Sequence, residues 1–215
     1  MPISKTVELV PFDQIEVIDY FEVFLVEDSF YSAEIVGDAQ IIEHVDLKVK
    51  NNTLFIENKR KAKWISPRKN KIKVYVSSLP LKQVTAEEGC NIQTLSPITS
   101  IEFGLILKGK SNEANLELDG NTFYYWNSFP SGGKLSLSGK TEILKIWNFA
   151  IMSVDAKALI AKKAIIVNRS KGDCETTVLN KLEYSINGEG NIQLYGNPLD
   201  IINNGISSSG KLIQH

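Results

Sequence analysis

Along most of this chain, apolar and polar residues alternate with a period of two, and Gly or Asn closes each run. Such alternation predicts half-buried β-strands, while the 3.6-residue period of amphipathic helices is nearly absent. Residues 5–80 read as a first group of strands. Glu16-Val17-Ile18 leads into Tyr20 to Val26, followed by Ser32 to Val36 and by Val45-Asp46-Leu47-Lys48-Val49. Asn51-Asn52 then turns the chain into Leu54-Phe55-Ile56, a strong hairpin signal. Lys71 to Val76 alternates cleanly until Leu79-Pro80 breaks the pattern.

From Val84 onward the rhythm shortens, with units starting near Val84, Leu105, Tyr124, Leu144, Ala164, Leu182 and Leu199. An asparagine returns behind an apolar residue at Trp126-Asn127, Trp147-Asn148, Val167-Asn168, Ile186-Asn187 and Ile202-Asn203. The spacing of roughly 16–21 residues is that of one short coil in a stacked solenoid. A single coil cannot bury its apolar side alone, so neighbours above and below complete the core. This reading puts Ala86, Leu107, Trp126, Trp147, Val167, Ile186 and Ile202 inward, one above another. Asn127, Asn148, Asn168, Asn187 and Asn203 then form a structural ladder at the turns, where Asn tolerates the left-handed backbone and its amide bonds to backbone and to the next Asn. The fold expected is all-β, with a β-helix-like solenoid over residues 81–215 preceded by longer antiparallel strands over 1–80. The two stretches are separate units or one continuous domain.

The tail Tyr184-Ser185-Ile186-Asn187-Gly188-Glu189-Gly190-Asn191-Ile192-Gln193-Leu194-Tyr195-Gly196-Asn197-Pro198, followed by Ser207-Ser208-Ser209-Gly210-Lys211-Leu212, resembles the head GIN domain of the autotransporter-adhesin family of secreted bacterial proteins. The stretch Val36-Gly37-Asp38, Ile41-Ile42, Val45 to Val49 and Asn52 to Ile56 is similar to that family's opening. The chain departs from the family where its inner Ser-Gly-Ser-Gly turns are replaced, as at Trp126-Asn127-Ser128-Phe129 and Asn168-Arg169-Ser170. The resemblance implies a right-handed β-helix-like fold and a periplasmic, outer-surface or secreted location. It transfers no catalytic residues. The first residues, Met1 to Thr6, lack the apolar core of a signal peptide, which leaves cytoplasmic residence or a removed leader as alternatives.

Composition narrows the function further. A net charge of −1 gives no global attraction to nucleic acid or to an anionic membrane, and no apolar run is long enough to span a bilayer. Cys90 and Cys174 form no metal pattern. About four coils apart, they would lie roughly 19 Å from each other along the axis, too far for a disulfide. His44 and His215 are the only histidines, so no Ser-His-Asp or Cys-His arrangement is expected. No cofactor is expected, and Gly188, Gly190 and Gly196 read as turn glycines because a strand, not a helix, follows them.

Glu102, Glu113, Glu117, Asp119, Glu142 and Asp155 are scattered along the solenoid. Glu117 and Asp119 alternate on one strand, about 7 Å apart, a spacing within the range of sugar-cleaving acid pairs but better explained by strand alternation, which places solvated polar residues on the outer face. Lys59 to Trp64 and Arg68 to Lys73 form a basic run read as a solvated loop. Phe123-Tyr124-Tyr125-Trp126 concentrates aromatic side chains, half of which must face out. Trp64, Phe123, Tyr125, Arg68 and Lys69 are therefore the candidate ligand-binding residues. The function expected is a non-enzymatic extracytoplasmic binding protein, an adhesin presenting a polar solenoid face to a glycan or cell-surface protein. The alternatives are a β-helix carbohydrate-active enzyme and a structural protein polymerising through open strand edges.

Overall fold

A computed structural model describes residues 2–61 and 71–215. The first group of strands is β1 (Pro2–Glu8), β2 (Gln14–Val17), β3 (Glu22–Glu27), β4 (Ser32–Asp38), β5 (Val45–Lys50), β6 (Thr53–Asn58) and β7 (Lys73–Ser78). A single helical turn, α1 (Ala39–Ile42), follows β4, with Asp38 Oδ1 accepting from the Gln40 amide at 3.1 Å. Asn51 and Asn52 both take left-handed backbone angles, φ 51° and 61°, in the hairpin between β5 and β6, where the primed turn matches the strand twist.

Pairing in this region is mixed rather than wholly antiparallel. β1 with β4, β4 with β7 and β5 with β6 run antiparallel, whereas β2 with β6 and β3 with β7 run parallel. The parallel direction of β2 and β3 lets them continue the stack that follows.

That stack is a β-solenoid of about six turns over residues 83–214. Its strands are β8 (Gln83–Ala86), β9 (Cys90–Thr94), β10 (Glu102–Leu107), β11 (Asn112–Asn127), β12 (Gly132–Ser170), β13 (Cys174–Ile186), β14 (Ile192–Tyr195), β15 (Asp200–Ile206) and β16 (Leu212–Gln214). β12 runs unbroken through more than one coil, with Gly139 and Ala150 taking positive φ of 96° and 62° within it. One face stacks β2, β8, β10 and the second half of β11 in parallel register; the other stacks β3, β9 and the first half of β11.

Interior columns follow from this register. Ile15, Val84, Leu105, Tyr125 and Ile146 are successive partners and all are buried. On the opposite face Val23, Ile92, Ala114 and Leu135 form the matching column. Full burial of such a branched or aromatic side chain stabilises by about 1.5–3 kcal/mol, and each coil supplies half of its neighbour's cover. Cys90 and Cys174 are both buried free thiols.

The inward set differs from the sequence expectation by one residue in the middle coils. Ala86, Leu107 and Ile186 do point inward, but between them the column passes through Asn127, Asn148 and Asn168, all fully buried. Trp126 and Trp147 are register partners that face outward, and Val167 shares that side. The cause is local. The inward position at the strand end adjoins a turn whose backbone groups have no sheet partner, and an amide satisfies them where an indole cannot. Asn127 donates to the Phe149 carbonyl at 2.9 Å and accepts from the Phe149 amide at 2.8 Å. Asn148 donates to the Met152 carbonyl at 2.9 Å and to Asn168 Oδ1 at 3.1 Å. Asn168 donates to the carbonyls of Gly190 at 3.0 Å and Gly172 at 3.2 Å. Asn187 and Asn203 lie on the surface; Asn187 donates to Ser207 Oγ, and Asn203 accepts from the Gly205 amide, each at 2.8 Å.

Candidate functional site

Strict alternation through Thr122–Asn127 sorts the aromatic run. Phe123 and Tyr125 are 1% and 0% exposed, whereas Tyr124 is half-buried and Trp126 is 37% exposed. Phe123 and Tyr125 therefore do not form the exposed platform expected of them: they occupy even-numbered steps from buried Asn127 and share its direction. Phe123 packs on Phe103 with ring centroids 5.9 Å apart. The Tyr125 hydroxyl finds no hydrogen-bond partner, and burial pushes its phenol well up from the usual range. The outward surface belongs to the other half of the run, half-buried Tyr124 and exposed Trp126, joined on the next coils by half-buried Trp147 and Phe149 and exposed Arg169.

Two clusters follow from that phase. In the first, Trp126 meets Phe149 edge to face at 6.5 Å, and the Arg169 guanidinium lies 5.6 Å above the Phe149 ring. Phe129, 84% exposed, stands at the adjoining turn. A shallow hollow of about 360 Å³ lies between Phe129, Phe149, Arg169, Lys171 and Asn187.

The second cluster centres on Tyr124. Register places Gln83, Gly104 and Tyr124 on successive strands at one outward position. The Tyr124 side chain crosses Gly104, and its hydroxyl donates to Gln83 Oε1 at 2.8 Å. A Cβ at Gly104 would sit 2.0 Å from Tyr124 Cζ, so only glycine there lets the ring lie along the sheet. The Gln83 amide is fixed in turn by donating to Thr85 Oγ1 at 3.0 Å. Beside the ring opens a cleft of about 650 Å³ whose lining includes Gln14, Leu81, Ile101, Glu102 and Tyr124. Burial, helped by the Glu102 carboxylate, raises the Tyr124 phenol.

Of the carboxylates scattered along the solenoid, three are ion-paired. Asp119 pairs with Lys140 at 3.2 Å, Glu142 with Lys162 at 2.7 Å and Asp155 with Lys134 at 2.8 Å. The hydrogen bond from Lys134 holds the Asp155 carboxyl below its usual range. Glu117 and Asp119 both face solvent, as alternation requires. Among the described residues no group of His, Cys, Asp and Glu could hold a metal ion, and no helix is long and apolar enough to cross a membrane. Trp64, Arg68 and Lys69 lie outside the described residues. Lys59, at the start of the basic run, pairs with Asp46 on β5.

The residues that sequence reasoning missed are Tyr124, Trp126, Trp147 and Phe149. Counting by twos from Leu105 and Leu107 along their register partners would have found them.

A solenoid of this kind, with an outward aromatic row and no metal cluster among the described residues, defines a class of repetitive β-proteins built around an extended, preordered face. Within that class, this chain belongs to the family described as putative auto-transporter adhesin, head GIN domain, which it matches over residues 11–198. Its fold is similar to that of an adhesin-designated protein from Bacteroides fragilis, with a TM-score of 0.91 at 16% identity, covering 100% of this chain and 97% of that one. A protein from Parabacteroides distasonis described as lipid binding gives a TM-score of 0.72 at 15% identity, covering 100% and 96%. An adhesin-designated protein from Parabacteroides merdae gives 0.65 at 16% identity, covering 99% and 96%. At such identities the likeness establishes the fold alone. No curated protein matches the sequence.

Proposed function

We propose that this chain is a non-enzymatic, extracytoplasmic, surface-associated binding protein that meets a glycan or a cell-surface protein through the outward face of its solenoid. The observation that carries the reading is the outward-facing row of Trp126, exposed, and Trp147 and Phe149, half-buried, with exposed Arg169 beside it. Large aromatic side chains gain contact area with little rotamer entropy to lose, and a hydrogen-bonded parallel sheet orders them before the partner arrives. Family membership supports the adhesin role and the location outside the cytoplasm. Binding of the labelled protein to intact bacterial and epithelial cells and to a glycan array tests it. Replacing both Trp126 and Trp147 by Ala is expected to weaken surface binding at least about tenfold, the effect of losing one aromatic anchor of roughly 1.4 kcal/mol. Undiminished binding by that double variant, or no binding by the parent chain, would refute the proposal.

A further inference from the structure

We infer that the cleft beside Tyr124 is a binding subsite for a neutral pyranose ring, with Tyr124 as its stacking floor and Gln14 and Glu102 as its hydrogen-bonding rim. The inference rests on the binding role proposed above and assigns it a ligand class and a place.

The floor is a built feature. Gly104 supplies a side-chain-free position over which the Tyr124 ring lies, and Gln83 pins the far end of that ring at 2.8 Å. The ring is thus held against the backbone of β10, and it also lines the cleft. A pyranose presents a patch of C–H groups on one side and a rim of equatorial hydroxyls. That shape matches an immobilised aromatic face surrounded by planar polar groups. The side chains of Gln14 and Glu102 make no hydrogen bond or ion pair among the described residues, so their polar atoms are free for hydroxyls. Ile101, 83% exposed, adds an apolar side chain to the cleft lining. A volume of about 650 Å³ falls within the roughly 300–1,000 Å³ of small-ligand sites.

The chemistry selects among ligand classes. An acyl chain would cover Glu102 and Gln14 without replacing their water hydrogen bonds, which is unfavourable for each group. An anion would meet the Glu102 carboxylate, while the lysine at the cleft edge, Lys82, is already paired with Asp13 at 2.6 Å. A neutral polyol meets neither objection.

The test is isothermal titration and saturation-transfer NMR of the full chain with neutral trisaccharides of glucose, galactose, mannose and N-acetylglucosamine. At least one is expected to bind, with transfer strongest to its ring C–H protons. Tyr124→Ala and Glu102→Ala, both checked for unchanged thermal unfolding, should each weaken it at least fivefold, while Leu199→Ala, at a 96% exposed position outside the cleft lining, leaves it within twofold. Trisaccharide binding indifferent to Tyr124→Ala would overturn the subsite. So would a fluorescent fatty acid that occupies the cleft in Tyr124-dependent fashion while no sugar binds. A chain that binds cells through Trp126 and Trp147 but binds none of the trisaccharides overturns this subsite and leaves the adhesin reading standing; a chain that binds neither overturns both.

Discussion

Replacing Asn168 by Ala removes the most heavily engaged member of the interior amide column. Its Nδ2 donates to the carbonyls of Gly190 at 3.0 Å and Gly172 at 3.2 Å, and its Oδ1 accepts from Asn148 Nδ2 at 3.1 Å and the Ser170 amide at 3.3 Å. The side chain is fully buried. Each such bond contributes about 1 kcal/mol net, and a buried partner left unsatisfied adds a desolvation penalty of about 1–3 kcal/mol. Local relaxation recovers part of this, so the expected loss is about 3–4 kcal/mol, near the upper end for single substitutions. Asn187→Ala removes one surface bond, to Ser207 Oγ, and should cost less than about 1 kcal/mol. Urea unfolding followed by circular dichroism, with comparable slopes for all variants, measures both. A loss below about 1 kcal/mol for Asn168→Ala, or one no larger than for Asn187→Ala, would refute the view that buried amides tie the turns of successive coils together.

The contrast between these asparagines also marks what the sequence carried. The coil period and the Asn51-Asn52 turn were legible because alternation and turn chemistry are local properties. The phase of the middle coils was not. Phe123 to Trp126 are all aromatic, so hydrophobicity alone cannot say which two face in. A single slip in a period of two reverses every side chain, which placed Trp126 and Trp147 in the core and the candidate site on Phe123 and Tyr125. The signal that decides the phase is non-local: Leu105 pairs with Tyr125, and Gly104 makes room for Tyr124. Asn187 repeats the motif in the chain but not in space, because Asn168 pairs with Ile186, one residue earlier.

Alkaline pH should destabilise the fold. Burial pushes the Cys90 thiol up to about 12 and raises Cys174 as well, so above about 9 the unfolded chain releases protons that the native chain keeps. Stability then falls by up to about 1.4 kcal/mol per pH unit for each thiol, and a Cys90→Ala, Cys174→Ala variant should show a shallower fall in urea midpoints between pH 8.5 and 10.5. Ala150 holds a left-handed backbone at φ 62°, so Ala150→Gly should be neutral to stabilising, by about 0–1 kcal/mol, in the same unfolding assay. Lys134→Met should cost at most about 1 kcal/mol at pH 7, since the pair with Asp155 is largely solvated. That contribution is present above the ordinary carboxylate range and is lost as pH falls through the lowered Asp155 value, so parent and variant should converge in acid unfolding.

Hydroxyl-radical footprinting of the chain bound to cells tests the outward aromatic face most directly. Oxidation of Trp126, Trp147 and Phe149 should drop on binding while Tyr20 and Phe30, exposed elsewhere, stay reactive. Protection confined to other residues, with Trp126 and Trp147 as reactive as in the free chain, would contradict a partner-binding role for that face.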